Sequence, residues 1–131
     1  MEKNGVKITY RGWPGHFICG SRCQFHLNTL LEYGDEKIVV STVGLLKLTH
    51  EDEKYETINH NRHYETVAFR AKLDKNPHGD FWDADVAQQI NFDSEWAWEK
   101  PEDEAKAQAG HEKVVQEIAD RLVAGNLEEM T

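Results

Sequence analysis

The chain has 131 residues, 39% of them hydrophobic and 10% aromatic, and a formal charge of −9. That is enough apolar material for one domain, residues 1–131, with a core that needs no disulfide or metal staple. The charge is uneven: residues 1–92 carry 11 Lys and Arg against 13 Asp and Glu, and residues 93–131 carry 4 against 11, which argues against a nonspecific DNA or RNA binder with its basic face.

A small anionic ligand gripped by a few local arginines stays open; there are five, Arg11, Arg22, Arg62, Arg70 and Arg121. The opening MEKNGVKITY has no apolar signal-peptide core. No apolar run approaches the roughly 20 residues of a membrane span. Cys19 and Cys23 are the two cysteines, and in a leaderless chain they are expected to be reduced and cytosolic.

In chain order, VKITY (6–10) alternates as a short strand, and Arg11–His16 is a turn broken by Gly and Pro. CQFHLNTLLEY alternates with Cys23, Phe25, Leu27, Thr29, Leu31 and Tyr33 on one face. Turn residues at 33–36 and the β-branched KIVVSTVGLL make this a hairpin. Residues 48–61 read as a polar loop with room for a short strand near Tyr55. HYETVAFRAKL is another strand, with Tyr64, Thr66, Ala68 and Arg70 on one face and His63, Glu65, Val67, Phe69 and Ala71 on the other. DKNPHGD is a loop, DADVAQQI is a helical turn capped by Asp83 or a strand entry, and INFDSEWAW has strand composition, with Trp96, like Phe69, expected in the core.

The last third changes period. Pro101 suits a first helical turn, Glu102, Asp103 and Glu104 suit the positive end of the dipole, and Gly125-Asn126 is a stop signal. His111, Val114, Val115, Ile118, Leu122 and Val123 recur at helical spacing. The expected fold is α+β: an antiparallel β-sheet over residues 6–98 with a long C-terminal amphipathic helix over 101–125.

No catalytic set stands out. His60-x-x-His63-x-Glu65 holds pieces of a metal site, but on a strand His60 and His63 face opposite ways; NHNRH has the letters of an HNH nuclease without its ββα context. His16, Cys19, Cys23 and His26 are borderline-soft ligands at a spacing that matches no standard zinc site, and two buried thiols flanked by polar histidines explain them as well. Arg11-x4-His16 is broken by Gly and Pro where its motif needs a helix. His78, Asp80, Asp83 and Asp85 read more simply as a polar loop than as paired acid and base. What is left suits a binder. Arginine or amide stands beside an aromatic at Arg11–Trp13, Arg22–Phe25–Asn28, Arg62–Tyr64 and Asn91–Phe92, and such planes stack on bases while arginine forks hold phosphates.

FHLNTLLEYGDEKIVVSTVG, HYETVAF, and DADVAQQINFDSEW followed by an acidic helix resemble the phage anti-Thoeris proteins that act as cyclic ADP-ribose sponges. The resemblance spans about Arg22 to Asn126, and none of these runs is a catalytic signature. It implies a decoy that binds cyclic ADP-ribose isomers in the host bacterial cytoplasm without cleaving them. It also implies a dimer-based homo-oligomer with nucleotide pockets at subunit boundaries. No cofactor is expected, and the candidate ligand spacings name no metal residue, though zinc at His16, Cys19, Cys23 and His26 stays open. Some members also sequester cyclic oligonucleotides. On chemistry alone, Arg22 and Arg62 would hold the pyrophosphate and Phe25, Tyr64 or Phe92 would stack the adenine. Asn28, Thr66, Asp83 and Asn91 would read hydroxyls and base edges. Two other classes compete: a metal-dependent phosphodiesterase built on His60, His63, Asp83 and Asp85, and an inhibitor whose acidic helix mimics nucleic acid.

Overall fold

A computed structural model describes residues 1–11, 22–49, 51–58 and 61–127. Among them, seven strands form one antiparallel sheet, followed by one long helix: β1 (Glu2–Lys3), β2 (Val6–Tyr10), β3 (Cys23–Tyr33), β4 (Glu36–Leu46), β5 (Tyr64–Asn76), β6 (Gly79–Ile90), β7 (Ala97–Trp98) and α1 (Glu104–Ala124). Strands β1 to β6 pair in chain order as a meander, and β7 pairs with the start of β5. The α+β expectation holds. No described helix is long and apolar enough to cross a membrane.

Local chemistry explains the turns. Asn4 and Gly5 both take positive φ (52° and 87°), as an Asn-Gly hairpin turn requires, so β1 and β2 close on Lys3↔Val6. Gly34-Asp35 closes β3 on β4 through Tyr33↔Glu36. The loop expected at DKNPHGD shrinks to Pro77-His78, because β5 runs on to Asn76 and β6 starts at Gly79. Asp83 is therefore a strand residue paired with Lys72, not a helix cap. Long cross-strand pairing outweighs the polar composition that marks this stretch as loop.

The helix starts at Glu104, three residues after Pro101. Asp103 holds the N-cap position, but its carboxylate accepts from the Lys100 amide and not from a helix N–H. Gly125 ends the helix in the left-handed conformation. The apolar stripe packs on the odd residues of β3 and the even residues of β4 and β5. Val114, Val115, Ile118, Ala119 and Leu122 meet Val6, Ile8, Leu31, Ile38, Val40, Ala68 and Ile90. Val123, expected in the stripe, is exposed. Gly110 lets the helix approach the sheet, since a Cβ there would lie 2.1 Å from the buried Trp98 ring.

The second face is buried too at Leu30, Val39, Val67 and Phe69. Opposite Arg70 the β5–β6 register slips, and Asp85–Gln88 bulge out of the ladder. Beyond the bulge the hairpin turns back across this face. Arg11 Nη1 donates to the Trp82 carbonyl at 2.6 Å, Arg11 lies 4.5 Å over the Phe81 ring, and Lys37 Nζ lies 5.5 Å over Trp82.

Candidate functional site

Strand β5 changes partners along its length. Tyr64 and Glu65 pair with Trp98 and Ala97 of β7, and from Ala68 onward β5 pairs with β6 through Ile90. The chain between those partners, Asn91–Trp96, has to leave the sheet. It returns where the Thr66 amide donates to the Trp96 carbonyl at 2.8 Å. The gap left beside Thr66 and Val67 is a cleft of about 230 Å³, lined by Glu65, Thr66, Val67, Gln89, Ile90, Asn91, Phe92 and Trp96.

Its chemistry is mixed in a useful way. Trp96 is 40% exposed, and the Arg62 guanidinium lies 4.1 Å over its ring. Arg62 Nη1 is also 3.9 Å from Glu65 Oε1, with both side chains largely buried. Asn91 and Gln89 are exposed amides, and Phe92 is half-buried against the core. One wall is thus an aromatic plate with a cation above it, and the rim carries amide donors and acceptors. The volume falls below the roughly 300–1,000 Å³ of clefts that enclose a whole drug-sized ligand. It suits one flat ring system.

Of the sequence-derived ligand residues, the structure brings Thr66, Asn91 and Phe92 into this cleft and Arg62 to its mouth. Thr66 takes part through its backbone, because its hydroxyl is 2.6 Å from that of Thr42. Phe25 and Tyr64 are core residues, edge to face at 5.3 Å, and cannot present a face to a base. The Tyr64 hydroxyl donates to the Pro101 carbonyl, and burial, then the acidic start of α1, pushes its pKa up to about 12. Asn28 lies on the second face, where its side chain accepts from Arg11 Nε at 2.8 Å. Arg22 is exposed next to the end of β4, where its carbonyl accepts from the Lys47 amide. Asp83 sits in the returning hairpin near Arg11. Trp96 is the main correction: expected in the core, it is the exposed plate of the cleft, and Trp98 takes the buried place. The polar FDSEW run around it was the available signal.

Among the described residues the metal and acid–base candidates do not converge. His16, Cys19 and His60 lie outside the described residues. His63 donates its Nδ1–H to the Glu99 carbonyl. Asp85 accepts from the Ala87 amide within the bulge, and Asp83 pairs with Lys72, well along β5 from His63, which stands just before that strand. Cys23 is buried at the start of β3. Among the described residues no group of three His, Cys, Asp or Glu side chains is placed to hold a metal ion.

No protein-family model, curated protein or solved structure matches the chain.

A second polar cluster lies under the helix. His111 is 1% exposed. Its Nε2 is 2.8 Å from the Thr29 hydroxyl and its Nδ1 is 2.7 Å from the Thr42 hydroxyl. Burial pushes its pKa down to about 4, so it is a neutral imidazole at neutral pH. It joins helix to sheet and has no access to the cleft mouth.

Proposed function

We propose that this protein is a phage anti-defence sponge that binds cyclic ADP-ribose-type signalling nucleotides and holds them without cleaving them. The observation that carries the reading is Trp96, an exposed indole under the Arg62 guanidinium beside a cleft rimmed by Asn91 and Gln89. The Arg62 guanidinium already covers one face of the indole at 4.1 Å, so a purine would stack on the part of the ring left in solvent, and each base stack contributes about 1–3 kcal/mol. The amides read the ring edge. A cleft of this size takes the base and leaves the ribose and phosphates outside. A second copy of the chain would cover them, in agreement with the pockets at subunit boundaries that the resemblance implies. Sequestration then follows from tight binding and abundant protein, with no transition state to stabilise.

The test is retention and recovery. Purified protein in slight excess is incubated with glycocyclic ADP-ribose, free ligand is filtered away, and the protein is heat-denatured and the released nucleotide chromatographed. Depletion followed by intact recovery is expected. Trp96→Ala is expected to abolish depletion while leaving the denaturation midpoint nearly unchanged, because the ring is partly in solvent. Recovery of a cleaved product, or unaltered depletion by Trp96→Ala, would overturn the proposal.

A further inference from the structure

We infer that Glu117, a helix residue outside the cleft, is the positioning residue that sets the cleft's aromatic wall. The Asn91–Trp96 loop is anchored at its apex, and both of its arms line the cleft. Asn91 and Phe92 come before the anchor and Trp96 comes after it. The anchor is a single carboxylate. Glu117 Oε2 accepts from the Asp93 amide at 2.8 Å. Its Oε1 accepts from the Ser94 amide at 2.9 Å and from the Ser94 hydroxyl at 2.6 Å. One turn on, Arg121 donates to Asp93 Oδ2 at 2.9 Å and stands 3.8 Å from Glu117 Oε2. The loop apex is thus held on both sides by the helix surface.

The chemistry favours a positioning role over a merely local cap. Two successive backbone N–H groups aimed at one anion fix the local backbone direction, and charge-assisted bonds of this kind are shorter and stronger than neutral ones. No sheet ladder holds residues 91–95; the Thr66 amide fixes the Trp96 backbone where the loop returns, and the Glu117 apex fixes the direction from which the chain arrives there. Glu117 and Arg121 stand on the solvent-facing border of α1, while Ile118 and Leu122 beside them are in the core. The helix therefore carries its register out from the core to the loop. The inference rests on the reading of the cleft as the binding site, and it assigns Glu117 no contact with the ligand.

The experiment uses the full chain labelled with 5-fluorotryptophan, with resonances assigned by single Trp→Phe replacements. Its variants are Glu117→Ala, Glu117→Gln and, as a control on the same helix, Asp120→Asn. Fluorine spectra are recorded without ligand, and glycocyclic ADP-ribose is then titrated in. In Glu117→Ala the Trp96 resonance is expected to shift and broaden while the Trp82 and Trp98 resonances stay in place, and affinity is expected to fall at least 10-fold. Glu117→Gln keeps an acceptor oxygen and should fall between. Asp120→Asn should match the parent in both readouts. An unmoved Trp96 resonance in Glu117→Ala, or equal shifts of Trp82, Trp96 and Trp98 in a folded Glu117→Ala, would overturn the inference; if Glu117→Ala does not fold, Glu117→Gln decides by the same criteria. If the parent chain binds no nucleotide, the proposed function fails, and the ligand-free spectra still decide whether Glu117 sets Trp96.

Discussion

The two faces of the sheet are buried in opposite styles. Among the described residues the helix face is an apolar layer with one polar station, His111 between Thr29 and Thr42. On the other face Leu30, Val39 and Phe69 share the surface with Asn28, Ser41 and Glu65, and a returning hairpin reaches it through Arg11 and Lys37. A helix covers a sheet with side chains that need no directional partner. A hairpin brings backbone groups with it, and Arg11 answers the Trp82 carbonyl directly. The difference predicts that the helix face sets global stability and the hairpin face sets local order.

The largest expected effect lies on the helix face. Ile118→Ala removes a fully buried side chain and should cost about 3–4 kcal/mol, read as a drop in the urea midpoint with a constant slope. Acid comes next. The unfolded chain protonates His111 near its ordinary pKa of 6.5, and the folded chain only near 4. Its contribution is therefore complete above pH 6.5, declines as pH falls toward 4, and is flat below. The amount is about 3 kcal/mol. Denaturation midpoints against pH should show this slope, and His111→Gln should lack it.

Arg11→Ala tests the other face. It removes the bonds to Asn28 and Trp82 and the stack on Phe81, for about 2 kcal/mol. Hydrogen exchange should speed up in β6 near Trp82 and not at the centre of β4. Uniform acceleration would show that the two faces unfold together. The smallest effect belongs to Arg70→Ala, which breaks a 2.7 Å pair with the half-exposed Glu36. About 0.5 kcal/mol or less is expected, and less at high salt.

Sequence patterning made the β3–β4 hairpin, the face assignment of β5 and the helix legible, because each rests on periodicity that one element sets by itself. The Asn4-Gly5 turn is equally local, since an Asn-Gly pair takes positive φ by its own chemistry. The site was legible only in part. Asn91 and Phe92 are neighbours in the chain, but among the described residues the cation–aromatic contacts join residues that are not: Arg62 with Trp96, Arg11 with Phe81, Lys37 with Trp82 and, across a loop, Lys47 with Tyr55. Neighbours in a strand point to opposite faces, so adjacency of arginine and aromatic in the chain says little about stacking. Trp96 and Trp98 differ for a related reason. Partner exchange along β5, which no short window of sequence encodes, leaves one at a cleft and wedges the other against Gly110.

The polar station under the helix has a sense of direction. Thr66, Thr42, His111 and Thr29 form a continuous line of hydrogen-bonding atoms, and a neutral imidazole offers one donor and one acceptor. If Nδ1 accepts from Thr42, then Nε2 donates to Thr29, and Thr42 in turn accepts from Thr66. In the other tautomer Nδ1 donates to Thr42 and Nε2 accepts from Thr29, while the Thr42 oxygen, with two lone pairs, can still accept from Thr66. One ring thus orients the Thr29 and Thr42 hydroxyls in opposite senses and ties the helix to three strands, and nitrogen-15 shifts of the His111 ring should report which tautomer the native chain holds.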